Sequence, residues 1–123
     1  MSRDQTVLLV EDDEDNRIVY TTMLEHFGFR VVQAGDGEAA ITLAHDERPD
    51  IVIMDISIPG IDGWAVTARL GEDLATRGTP VVAVTAHAHP RHRERARELG
   101  CAGYLTKPCE PHRLLAEIRR IIG

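Results

Sequence analysis

Ile51, Val52, Ile53 and Met54 run without a polar residue and then meet one carboxylate, Asp55. Asp50 bounds the run on one side and Pro59-Gly60 on the other. A continuous apolar run this short reads as a strand buried on both faces. Such a strand constrains the fold severely, because both of its faces must be covered. The architecture that does this is a parallel sheet with helices on each side.

The rest of the chain supplies the parts. Residues 6–10 and 81–85 are two more runs of the same kind; the first meets Glu11 and Asp12, and the second ends on Thr85. Residues 30–34 and 104–107 are shorter strand candidates, the last ending on Lys107 before Pro108. Helical spacing fills the intervals. Residues 16–26 carry an apolar set of Val19, Tyr20, Met23, Leu24 and Phe27, with Gly28 as the stop. Helices follow over 38–47 (Ala40, Leu43 and Ala44 inward, Pro49 after it), 64–74, 90–99 and 110–122. The last has the cleanest stripe: Leu114, Leu115, Ile118, Ile121 and Ile122. The pattern is βα five times over. Right-handed crossovers and the doubly wound rule then give an α/β, flavodoxin-like sheet of five parallel strands in the order 2-1-3-4-5.

A chain of 123 residues is expected to form one domain. No apolar run is long enough to span a membrane, and residues 1–5 lack the apolar core of a signal peptide. The net charge of −6 argues against direct nucleic-acid binding. Cys101 and Cys109 form neither a zinc set nor a disulfide framework, which suits a cytoplasmic setting.

In a parallel sheet the C-terminal strand ends share one edge, where ligands bind in such folds. Glu11 and Asp12, Asp55, Thr85 and Lys107 all arrive there. A strand-end Asp alone is more often a turn former, and an Asp/Lys cluster can be a structural ion pair. The coincidence of five polar termini after apolar strand bodies carries more. Three close carboxylates repel unless a cation joins them. Their donor set is all oxygen, which suits Mg²⁺ or a similar hard divalent ion. With Lys107 and the Thr85 hydroxyl beside it, the edge is built to receive a phosphoryl group. Asp55 is then the nucleophile, leaving Glu11 and Asp12 to hold the metal.

These residues match a family. Leu9-Val10-Glu11-Asp12, Met54-Asp55-Ile56-Ser57-Ile58-Pro59 with Asp62-Gly63, Val84-Thr85-Ala86, and Tyr104-Leu105-Thr106-Lys107-Pro108 resemble the receiver domain of two-component response regulators, the CheY-like group. The likeness runs from Val7 to Ile122. In wording it is similar to DivK-type single-domain regulators and to receivers of hybrid histidine kinases. The resemblance implies that Asp55 is the phosphoacceptor. It implies that Asp12 binds Mg²⁺ directly, Glu11 largely through water, and Ser57 through its backbone carbonyl. Thr85, Lys107 and the Ala86 amide would bind phosphoryl oxygens, and Tyr104 would be a switch residue. The Lys107-Pro108 bond would be cis. The phosphodonor would be a histidine kinase or histidine phosphotransferase. The surface of the fourth helix, fifth strand and fifth helix would bind a downstream protein, with no nucleic acid or membrane involved. The chain would catalyse its own phosphorylation and dephosphorylation rather than act as an enzyme on a separate substrate. Ser57 and His87 would tune the lifetime of the phosphoryl group. A receiver excised from a hybrid kinase or larger regulator is the alternative.

Other readings are weaker. A haloacid-dehalogenase phosphatase wants a second acid at position 57, where Ser57 stands. A flavodoxin-like phosphate loop would not be Glu11 to Asp15. His87, His89 and His92 cluster after residues 81–85, but His87 and His89 precede Pro90 in a loop and no fourth metal ligand is evident. The arginines of residues 90–99 are interleaved with Glu94 and Glu98, the pattern of a solvated face. That helix offers only Ala96 and Leu99 as apolar anchors, so it is a natural moving element.

Overall fold

The computed structural model describes residues 4–86 and 89–123. The strands are β1 (Thr6–Val10), β2 (Arg30–Ala34), β3 (Ile51–Asp55), β4 (Val81–Thr85) and β5 (Gly103–Thr106). The helices are α1 (Glu14–His26), α2 (Gly37–Glu47), α3 (Gly63–Glu72), α4 (Pro90–Glu98) and α5 (Pro111–Ile122). All pairings are parallel and the sheet order is β2-β1-β3-β4-β5, the doubly wound order expected from the sequence.

Strand alternation divides the interior in two. Leu8, Val10, Val52, Met54, Val81 and Ala83 point to one face, where Ala40, Ala44, Val66, Leu70 and Ala96 of α2, α3 and α4 cover them. Val7, Leu9, Ile51, Ile53, Val82, Val84 and Leu105 point to the other, under Leu24 of α1 and Leu114, Leu115 and Ile118 of α5. β1, β3 and β4 are buried from end to end, because they lie inside the sheet and both faces are roofed.

Aspartates start three of the helices. Asp13, Asp36 and Asp62 each accept a hydrogen bond from the backbone N–H three residues on, satisfying a donor the helix leaves open. Capping by Asp13 starts α1 at Glu14, two residues before the apolar pattern suggests. Asp62 starts α3 at Gly63. α3 also stops early, at Glu72, leaving Leu74 in solvent. β5 likewise ends at Thr106, with Lys107 just past it.

The apolar set expected on α1 is only half right. Leu24 is fully buried and Tyr20 and Met23 are half-buried, but Val19 and Phe27 are exposed and Thr21 is buried instead. Tyr20 helps to fix the rotation: its hydroxyl donates to the Cys109 carbonyl at 2.6 Å. The stripe on α5 is as expected for Leu114, Leu115 and Ile118, with Ile121 and Ile122 half-buried.

Candidate functional site

Register brings the strand ends together. Val10 lies opposite Met54, so Glu11 follows β1 beside Asp55, and Asp55 lies opposite Val84, one residue before Thr85. The Lys107 N–H donates to the Thr85 carbonyl at 2.8 Å, which brings the residue after β5 to the same edge.

Lys107 organises the acids. Its Nζ donates to Glu11 Oε1 and to Asp55 Oδ2, each at 2.8 Å. Glu11 and Asp55 are both buried, while Asp12 is exposed. One carboxylate oxygen from each of the three lies within 4.8 Å of the others. Burial pushes the Glu11 carboxyl above its ordinary value, and Asp55 adds to the shift. Burial opposes the charge on Lys107, but its hydrogen bonds to Asp55 and Glu11 outweigh that, and its pKa lies above the usual lysine value. The backbone N–H of Ser57 donates to Asp55 Oδ1 at 2.9 Å. Both oxygens of Asp55 are therefore held, one by an ammonium and one by an amide.

Sequence reasoning did not find the supports of the acidic loop. Asn16 Nδ2 donates to Glu11 Oε1 at 3.3 Å, and Arg17 Nη1 donates to the carbonyls of Glu11 and Asp12 at 2.7 and 3.2 Å. Only the tight connection from Asp13 into α1 was available as a hint.

The remaining candidates lie at or near the same strand ends. Thr85 is buried, and its Oγ1 lies 3.4 Å from His92 Nδ1 on α4. Ala86 is exposed just beyond β4, and Ser57 is exposed just beyond β3. Tyr104 is half-buried in β5; its hydroxyl is buried without a partner among the described residues, and Arg93 of α4 lies 4.9 Å above its ring. His89 caps α4, its Nδ1 accepting from the Arg91 N–H at 3.0 Å. His87 lies outside the described residues. The Lys107-Pro108 peptide bond is cis. Trp64 is half-buried and packs on the core.

Residues 7–119 match the family model described as the response regulator receiver domain. The chain belongs to that family. Among curated relatives, the polar-differentiation response regulator DivK of Brucella anthropi is 36% identical over 119 residues, covering 97% of each chain. Among solved structures, a CheY-type chemotaxis protein of Vibrio cholerae superposes with a TM-score of 0.91 at 27% identity, covering 97% of this chain and 99% of that one. The receiver domain of a sensor histidine kinase of Pseudomonas aeruginosa superposes with a TM-score of 0.88 at 35% identity, covering 98% and 99%. That protein holds a magnesium ion in its active site cleft. Receiver domains bind Mg²⁺ at an acidic site, and this receiver's three converging carboxylates, with no sulfur or nitrogen donor among them, fit a hard divalent cation. No described helix is long and apolar enough to cross a membrane.

Proposed function

We infer that Asp55 accepts a phosphoryl group from a phosphohistidine of a histidine kinase or histidine phosphotransferase. The observation that carries this reading is the pair of hydrogen bonds from Lys107 to the buried carboxylates of Glu11 and Asp55. A carboxylate held at both oxygens beside a fixed cation is oriented as a nucleophile, not merely capped.

Asp55 would attack phosphorus with one carboxylate oxygen as the P–N bond breaks. The imidazole of the donor leaves with the electron pair, neutral because its other nitrogen carries a proton. Asp55 becomes an acyl phosphate. Glu11, Asp12, Asp55 and the Ser57 carbonyl would hold Mg²⁺, which supplies positive charge to the phosphoryl oxygens when bound. Lys107 would move part of its hydrogen bonding from the carboxylates to the incoming phosphoryl group. Thr85 and the Ala86 amide would bind two further oxygens. Water attack on phosphorus would break its bond to the Asp55 oxygen, releasing inorganic phosphate and restoring the carboxylate, so the chain would consume and restore itself rather than turn over a separate substrate.

The output would be read at α4, β5 and α5 by a protein partner. Tyr104 supports this: it lies on β5 under Arg93, on the α4 side of the sheet, and its buried hydroxyl lacks a partner among the described residues. Whether the receiver acts alone or within a hybrid kinase changes the source of the phosphoryl group and not this chemistry.

Incubation with Mg²⁺ and acetyl phosphate, followed by intact mass, tests the assignment. The expected result is a gain of one phosphoryl group that disappears in Asp55→Asn. No gain, or a gain that persists in Asp55→Asn, overturns it.

A further inference from the structure

Resting on the reading of Asp55 as phosphoacceptor, we propose that His92 is a latch that holds Thr85 and α4 together in the unphosphorylated receiver. The argument begins with how α4 is attached. Of its residues only Ala96 is buried, a single methyl group. His92 lies one turn before Ala96, so the two share a face. Among the described residues, the imidazole of His92 lies near Thr85, Trp64 and His89. Its Nδ1 lies 3.4 Å from the Thr85 hydroxyl oxygen. Its ring is 6.0 Å from the ring of Trp64 at the start of α3, and 6.1 Å from that of His89. A polar side chain therefore supplies much of what an apolar anchor would give this helix.

Strand alternation explains why the contact exists. Val81 and Ala83 face α2, α3 and α4, and Thr85 is the next residue of that set. Asp55 follows Ile51 and Ile53, which face α1 and α5. The Thr85 hydroxyl thus rests with α4 and must leave His92 to reach a phosphoryl group on Asp55. Phosphorylation and the His92 contact compete for one hydroxyl. Breaking the contact removes one tether of α4, whose remaining attachments among the described residues include Ala96 and the Arg93–Tyr104 contact.

The competition sets the test. Beryllofluoride with Mg²⁺ serves as the phosphoryl mimic, and Trp64, the only tryptophan, reports on His92 by fluorescence. His92→Leu keeps an apolar contact but deletes the polar atom. Losing one resting-state hydrogen bond should tighten beryllofluoride binding about five-fold. His92→Asn restores a polar atom near the Nδ1 position and should return the affinity to within about two-fold of the native chain. The Trp64 signal should change on beryllofluoride binding in the native chain and in His92→Asn, and change little in His92→Leu. Equal affinity in the native chain and His92→Leu, or equal tightening in His92→Leu and His92→Asn, overturns the latch while leaving Asp55 in its role. Failure of the native chain to bind beryllofluoride any better than Asp55→Asn does overturns the phosphoacceptor reading, and the latch with it.

Discussion

At the scale of single residues, two buried glutamates show how differently the same side chain is used. Glu11 faces a lysine and a second carboxylate, and burial raises its pKa. Glu117 on α5 is also buried, but Arg120 donates to both of its oxygens, at 2.8 and 3.1 Å, and lowers its pKa. Arg120 also reaches the Ala102 carbonyl at 2.9 Å, tying α5 to the start of β5. A carboxylate with a depressed folded pKa binds fewer protons when folded than when unfolded. Its stabilisation is therefore present above the ordinary value of 4.5 and is lost as pH falls through the folded value. Urea unfolding of Glu117→Gln against the native chain should show a stability gap at pH 7 that narrows steadily below pH 4.5. A gap that does not change with pH would assign the glutamate a packing role only. Nothing in the apolar stripe of α5 announces Glu117; the nearest hint is a glutamate flanked by Arg113 and Arg120 at helical spacing.

At the scale of elements, α3 carries two glycines with opposite meanings. A Cβ on Gly63 would lie 2.6 Å from the Ile56 Cα and 2.9 Å from the Asp55 carbonyl oxygen. Those are backbone atoms at the edge that carries Asp55, so α3 can start there only because residue 63 lacks a side chain. Gly63→Ala should cost about 1–3 kcal/mol in thermal or urea unfolding, as overpacked sites do, and should also slow phosphorylation. Gly71, near the end of the same helix, is exposed with nothing close to its Cβ direction. Gly71→Ala should stabilise by about 0.5–1 kcal/mol, because it removes only unfolded-state freedom. The other contrast is between α4 and α5. α5 buries Leu114, Leu115, Glu117 and Ile118, whereas α4 buries Ala96 alone. Amide exchange should therefore be faster in α4 than in α5, and phosphorylation should alter α4 more. Equal protection in the two helices would remove α4 as the mobile element.

At the scale of the whole molecule, one sheet separates two jobs. The side roofed by α1 and α5 carries Leu105, and Glu11, Asp55 and Lys107 continue that alternation. The side roofed by α2, α3 and α4 carries Tyr104, and Thr85 continues it. Only the strand ends let the two sides meet. The acidic cluster is the costly part, with three carboxylates and one ammonium held close. Binding to the native state alone raises stability by mass action, about 2.7 kcal/mol at a hundred-fold excess over Kd. Mg²⁺ should accordingly raise the melting temperature of the native chain. Asp12→Ala should lose most of that gain, and an unchanged melting temperature in millimolar Mg²⁺ would argue against a metal role for the acids.

What the amino-acid sequence determined by itself is the frame. Continuous apolar runs at residues 7–10, 51–54 and 81–84 demand cover on both faces, and helical spacing between them supplies it. Chirality then leaves little choice of topology, so the convergence of Glu11, Asp12, Asp55, Thr85 and Lys107 on one edge was legible before any coordinate. What only the tertiary structure decided is rotation and pairing. Counting apolar residues placed Val19 and Phe27 inward on α1, yet the Tyr20 hydrogen bond to Cys109, far away in the chain, favours a turn that buries Thr21 instead. Lys107 pairs with both Glu11 and Asp55, and His92 meets Thr85, because the folded sheet and helices bring them within reach. Local periodicity records which residues can be buried. Which polar groups meet depends on distances across the fold, and no window of sequence contains those.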